Sequence, residues 1–170
     1  IESVNKHMQA YQLHSIVAHV ETFLDDLTNT YIRLNRARFW SEGSNSDKQH
    51  AYQCLDHVLL TFSTLMGPFT PFLSEKIVQA RAQTLGLEVK KHSVHAHTYP
   101  SCDPALQAQR LEDAISTMQQ ILILGRQARN DAKIKIKTPL QSIDIIHSDH
   151  RVLDNIKLVS DTILKELNVK

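Results

Sequence analysis

The chain has 170 residues, 42% of them hydrophobic and 22% charged, and its 19 Lys and Arg against 18 Asp and Glu leave a formal net charge of +1. That length supports one domain or one domain with a small appendage, and the near-neutral total argues against a uniformly basic nucleic-acid binder. No apolar run reaches the roughly 18 to 20 residues of a membrane span, the start at Ile1-Glu2-Ser3-Val4 lacks the shape of a secretory signal, and Cys54 with Cys102 is too little for a disulfide framework, which points to a reducing, cytoplasmic compartment without membrane partners.

Four Gly and five Pro give little punctuation, so long helices are expected. Met8, Tyr11, Leu13, Ile16, Val17, Val20, Phe23, Leu24, Leu27, Tyr31 and Leu34 recur mostly three and four apart, which predicts one long amphipathic helix or two stacked end to end. The opening inside this pattern, with no initiator Met, reads as a segment of a longer protein. Ser41 to Ser46 is a turn-rich break, with Ser46 or Asp47 placed to cap a second helix over 47–66. Gly67-Pro68 ends that helix, and Thr70 with Pro71 opens a third that runs to Thr84. Residues 85–103 carry no sustained period and read as a long connection. Pro104 restarts a helix to about Asn130.

The period then changes. Ile134, Ile136, Leu140, Ile143 and Ile145 recur largely two apart, a strand pattern with a kink at Thr138-Pro139. A last helix is expected over 149–165, and 166–170 reads as the possible start of a second strand. The fold class expected is therefore mainly α: a helical bundle over 1–130, followed over 131–170 by the start of a small, truncated α/β subdomain.

The sequence lacks the residues of a catalytic centre. There is no phosphate-cradling glycine loop and no nucleophile elbow, and Asp25-Asp26 are helix neighbours that point about 100° apart. His92, His95, His97 and Cys102 are chemically acceptable zinc donors, but their spacing matches no pairing that closes a tetrahedral site, so the expectation is a polar surface loop with no metal.

Two basic clusters are more informative. Arg33, Arg36 and Arg38 share residues 31–40 with Tyr31, Phe39 and Trp40, the only Trp, and no acid. On an unbroken helix Arg33 and Arg36 lie about 60° apart and Arg38 about 140° from Arg33, so they splay unless the helix ends near Asn35. The second cluster is Arg126, Arg129, Lys133, Lys135 and Lys137 against a single Asp131. Arg126, Arg129 and Lys133 fall on one helix face, and the three lysines fall on one sheet face if a strand begins by Lys133. Guanidinium groups fit phosphate oxygens and aromatic faces stack on unpaired bases, so both clusters are candidates for RNA contact; a solvated face is the plain alternative.

Asp26-Leu27-Thr28-Asn29-Thr30-Tyr31-Ile32-Arg33-Leu34-Asn35-Arg36-Ala37-Arg38-Phe39-Trp40 closely resembles a stretch of the isoleucyl-tRNA synthetases. Leu65 to Glu75 resembles the family's LMAPFTPFLAE, Ser93-Val94-His95 with Tyr99-Pro100 its SVH and YP elements, Leu124 to Leu140 its GR…R…IKVRQPL, and Glu166 to Lys170 its ELNVK. Thr30 stands where the family has Trp, Gly67 for Ala and Val78 for Tyr, and residues 96–98 vary the loop. The resemblance implies an anticodon-binding helical domain of a class I synthetase, whose parent activates isoleucine with ATP and Mg2+ and attaches it to tRNA(Ile). The signatures of the catalytic core are absent from this chain, as are the editing domain and any Cys-rich zinc module. The implied partners are the tRNA(Ile) anticodon stem-loop and the parent's own catalytic domain. The implied RNA-contact set is Arg33, Arg36, Arg38, Trp40, Arg126, Arg129, Lys133, Lys135 and Lys137. It also implies that His95 helps dock its loop and that Pro68, Phe69, Pro71 and Phe72 form a structural elbow. A helical docking module without RNA contact, and the equivalent domain of a valyl or leucyl enzyme, are the alternatives.

Overall fold

A computed structural model describes residues 1–43 and 45–170, with only the backbone considered at Lys90. Ser44, inside the expected break before the second helix, lies outside the described residues. The fold is mainly α. Helices α1 (Glu2–Gln9), α2 (Leu13–Asp25), α3 (Arg36–Phe39), α4 (Ser46–Met66), α5 (Pro71–Thr84), α6 (Gln109–Asp131), α7 (His150–Ile156) and α8 (Ser160–Leu167) follow in order, with a π-helical segment at Asp26–Ile32. Packing groups the chain into two compact units, Ile1–Cys102 and Asp103–Lys170. The expected division near residue 130 follows the change of hydropathy period; by packing, α6 groups with the residues that come after it.

In the first unit, Val4, Ile16 and Leu65 form a buried cluster, with Met8, Val20 and Phe69 packed against it. Of the expected alternatives, one long first helix or two in succession, the chain forms two, separated at Ala10–Gln12. Gln12 donates its N–H to His7 O at 2.9 Å and Tyr11 to Met8 O at 3.1 Å, a paired helix-ending motif that requires a left-handed residue, here Tyr11 at φ 55°. Glycine is the usual occupant of that position, which is why the sequence shows no stop signal. Asn45, rather than Ser46 or Asp47, caps α4: its Oδ1 accepts from the Lys48 N–H at 2.7 Å.

The Gly67-Pro68 elbow forms as expected, and buried Ser63, Thr64 and Ser74 let α4 and α5 approach beside it. Thr70 precedes α5, but its hydroxyl donates back to Met66 O at 3.3 Å and makes no cap bond. Phe69 packs inward, whereas Phe72 is 91% exposed and takes no part in the elbow's core. The connection after α5 is tied down: the Tyr99 hydroxyl reaches Leu65 O at 3.2 Å, and Asn5 donates to Pro100 O at 3.3 Å.

In the second unit, α6 buries Ala114, Met118 and Leu122, and both α7 and α8 pack on it. Pro104–Leu106 is a separate 3-10 turn capped by Asp103, so α6 begins later than Pro104. The expected strand over 134–147 is not formed. Among the described residues its alternating positions have no partner strand, Pro139 lacks a donor, and the one pairing is a parallel bridge between Leu140 and Val169, where Leu140 N–H meets Asn168 O and Lys170 N–H meets Leu140 O, each at 3.0 Å. Backbone alternation cannot make a sheet without a second chain segment to take its hydrogen bonds. The last helix is split at Lys157–Val159, with Ile156 and Val159 both buried at the joint.

Gly125 is where α6 meets α8. A Cβ there would sit 2.6 Å from Leu167 Cδ1, and Leu167 is itself 1% exposed. A side chain at this position would have to displace the buried Leu167 side chain.

Candidate nucleic-acid interface

The first basic cluster starts from a distorted helix. Thr28 Oγ1 donates to Leu24 O at 2.7 Å, a side-chain bond that competes with the regular ladder where α2 widens into the π segment, and Asn29 bonds the Asp25 carboxylate beside it. Such segments change the direction in which the following residues project and recur at functional sites. A turn at Asn35 (φ −91°, ψ 8°) then separates Arg33 from Arg36 and Arg38. The helical angles expected for an unbroken helix therefore do not apply, and the three arginines have different environments.

Arg33 is exposed, with its Nε–H donated to Asn29 O at 2.9 Å. Arg36 is exposed and lies over the ring of Trp40, 5.5 Å from guanidinium carbon to ring centroid. Arg38 binds Asp47 through two parallel bonds, Nε to Oδ2 at 2.8 Å and Nη2 to Oδ1 at 2.6 Å, and also donates to Asn35 Oδ1 at 2.9 Å. The hydrogen bond from Arg38 is the main reason the Asp47 carboxyl lies below the usual carboxylate range.

Aromatic residues hold this geometry. Phe39 is buried and meets Tyr31, Trp40 and Tyr52 edge-on, with Tyr52 at 5.3 Å between centroids. Burial first, and then a hydrogen bond with Cys54, push the Tyr31 phenol up to about 12. Trp40, next to the buried anchor, is 68% exposed. A fixed backbone thus carries an exposed indole with a guanidinium on its face, chemistry suited to stacking on an unpaired base beside a phosphate.

The second cluster is divided differently. Arg126 donates to Glu166 of α8, Nη2 to Oε2 at 3.0 Å. Arg129 is buried, with 5% of its surface exposed. Its Nη1 donates to Lys135 O at 3.2 Å and Thr138 O at 3.0 Å, and its Nη2 to Leu167 O at 2.6 Å and Asn168 O at 3.2 Å. The expected helix face of Arg126, Arg129 and Lys133 is therefore divided: Arg126 and Arg129 lie on α6 with Arg129 buried, and Lys133 lies past the end of the helix. A guanidinium enclosed in this way has its donors turned to carbonyls, not to solvent.

Lys133, Lys135 and Lys137 are exposed, but not on a sheet face. Lys133 is the left-handed residue (φ 55°) that ends α6: its N–H bonds Asn130 O at 2.9 Å, and that of Ile134 bonds Arg129 O at 2.8 Å. Lys135 to Thr138 then form a turn closed by the Thr138 N–H on Lys135 O at 2.9 Å.

Among the described residues, no group of three or more His, Cys, Asp or Glu is placed to hold a metal ion. The histidine loop is docked by Glu75, a residue the spacing arguments did not single out. Its Oε2 accepts from Val94 N–H at 2.8 Å and from Ser93 Oγ at 3.0 Å, and the Val94 bond is the main cause of its lowered pKa. Val94 is 3% exposed and, with Ser93, makes the docking bonds; His95 is exposed, and its charge adds to the lowering of the Glu75 pKa. His95 and His97 instead line an open cavity of about 390 Å³ beside Pro68 and Pro71. Among the described residues no helix is long and apolar enough to cross a membrane.

Residues 1–145 match the family described as the anticodon-binding domain of tRNA ligase. The chain belongs to that family. Over 170 residues it is 41% identical to the isoleucine–tRNA ligase of Bdellovibrio bacteriovorus, which takes in all of this chain and 16% of that protein. Over 176 residues it is 35% identical to the cytoplasmic isoleucine–tRNA ligase of Saccharomyces cerevisiae, again with all of this chain and 16% of the relative. The isoleucine–tRNA ligase of Bacillus thuringiensis is 32% identical over 169 residues, 99% of this chain and 16% of the relative. The chain thus spans 16% of the length of these curated relatives.

Proposed function

We propose that this anticodon-binding domain binds the anticodon stem-loop of tRNA(Ile) as part of an isoleucine–tRNA ligase. The observation that carries the reading is that relatives named isoleucine–tRNA ligase match the chain from end to end, at 41% and 35% identity. In this reading, isoleucine activation with ATP and Mg2+ and transfer to tRNA belong to the remainder of the parent enzyme. The domain's tasks are to hold and help select the tRNA and to dock against the parent's catalytic domain, in the cytoplasm.

The exposed groups suited to the task are Arg33, Arg36, Trp40, Lys133, Lys135 and Lys137. Arg38 and Arg126 are already engaged by Asp47 and Glu166, and Arg129 acts from inside. Burial of Arg33 and Arg36 against carboxylates would favour a docking module without RNA contact; both are exposed, which supports the RNA reading.

Titration of the chain with an isoleucine tRNA anticodon stem-loop over a salt series tests this. Log affinity should fall with log salt at about 0.7 to 0.9 per phosphate contact. In the parent ligase, Arg33→Ala should raise the KM for tRNA with little change in the KM for isoleucine. Salt-insensitive or absent binding by the chain, together with an unchanged tRNA KM for Arg33→Ala, removes the proposal.

A further inference from the structure

We infer that Arg129 is a positioning residue for RNA binding: buried itself, it sets the conformation in which Lys133, Lys135 and Lys137 are presented to the phosphate backbone. The inference rests on the tRNA-binding reading above and adds a residue that touches no nucleotide.

One guanidinium joins three pieces of chain. Arg129 lies in the last turn of α6, two of its carbonyl partners (Lys135, Thr138) belong to the basic turn, and the other two (Leu167, Asn168) lie at the end of α8. The carbonyls at a helix C-terminus lack intrahelical donors and carry the negative end of the helix dipole, so a buried cation between two such ends is compensated by fixed dipoles. The planar fork of Arg can satisfy carbonyls on two sides at once, a geometry the single ammonium of Lys cannot reproduce.

The guanidinium brackets two of the lysines directly: Lys135 gives it its own carbonyl, and Lys137 precedes Thr138, which does the same. Lys133 leads into the same turn through Ile134, whose N–H bonds the backbone carbonyl of residue 129 at 2.8 Å. Asn168 adds a bond from its Nδ2 to Ile136 O at 3.0 Å, inside the turn. The three ammonium groups therefore stand on a backbone fastened from within, on a segment that has no sheet to hold it. A lysine turn ordered before binding does not lose that freedom on meeting RNA.

The experiment uses the 170-residue chain, an isoleucine tRNA transcript and four variants: Arg129→Lys, Asn168→Gly, a triple Lys133→Ala/Lys135→Ala/Lys137→Ala, and the triple combined with Arg129→Lys. Asn168→Gly suits the left-handed backbone at that position (φ 50°) and leaves the buried charge alone, so it tests the same turn if Arg129→Lys does not fold. Amide exchange at Thr138 and Leu140 should quicken at least about tenfold in Arg129→Lys, and less in Asn168→Gly, while Met118 and Leu122 keep their protection. The salt slope should fall by about 2 in the triple variant, by a similar amount in Arg129→Lys, and not further when the two are combined. Loss of stability alone does not change the salt slope of folded protein. A wild-type slope in both Arg129→Lys and Asn168→Gly, or losses that add to those of the triple variant, overturn the inference. A triple variant that binds like wild type removes this turn from the interface and the inference with it, whereas a wild-type chain that does not bind removes the tRNA reading itself.

Discussion

Residues 31–40 and 126–137 look alike as sequence, each a cluster of cations with almost no acid, but the structure uses them in opposite ways. In the first, buried aromatic packing around Phe39 holds the backbone, and Arg33, Arg36 and Trp40 are left at the surface. In the second, arginine is the internal fastener, and lysine carries the exposed charge. A basic cluster can thus be built on an apolar anchor or on a buried cation. The two types should fail differently when mutated.

The largest expected effect is on the buried cation. Arg129→Met removes four hydrogen bonds and leaves the Thr138 and Leu167 carbonyls without their donor, and chemical denaturation should show a loss of about 3 kcal/mol. No surface arginine in residues 31–40 should approach that, and an equal loss on Arg36→Met would dissolve the contrast. Next comes Trp40→Ala, which should cost RNA affinity about 1 to 2 kcal/mol through lost base stacking while the unfolding midpoint stays nearly constant. A large fall in stability with unchanged affinity would make Trp40 a packing residue.

Lys133→Gly should separate stability from binding within the second cluster. Glycine relieves the left-handed strain at φ 55°, so the domain should gain up to about 1 kcal/mol, yet the salt slope of RNA binding should drop by about 0.7 to 0.9. If affinity and stability rise together, the Lys133 charge does not face RNA.

The smallest effect concerns pH. Asp47 is held below its ordinary value of 3.8 mainly by the hydrogen bond from Arg38. A depressed carboxyl contributes stability that is complete above the unfolded pKa and is lost as pH falls through the folded one, so the Arg38–Asp47 tie should open only below pH 3.8. The Arg129 contacts are to carbonyls and contain no group that titrates there. Carbon shifts of the Asp47 carboxyl and protection of the Thr138 amide, followed together down the pH scale, should therefore part company.

Much of the fold was legible because its signals are local. The Gly67-Pro68 elbow, the extent of α4 and α5 and the apolar stripe of α6 follow from residues within a turn or two of one another. The ends of α6 and α8 fall within three residues of their expected places, although Lys133 and Asn168 hold left-handed positions there without being glycine; at Tyr11 the same substitution for glycine left the break between α1 and α2 unmarked in the composition. The strand expected over 134–147 failed for a related reason, since its alternation is real but the segment that would pair with it supplies one bridge.

The sequence by itself determined a helical protein, two basic clusters and membership of an anticodon-binding family, because periodicity, charge count and motif order are all written along the chain. Only the tertiary structure decided which cations meet water. Arg129 and Leu167 are 38 positions apart, and Arg126 and Glu166 are 40 apart. Whether a charge is spent on a phosphate or on a carbonyl depends on what folds back onto it across that distance, which no local pattern encodes.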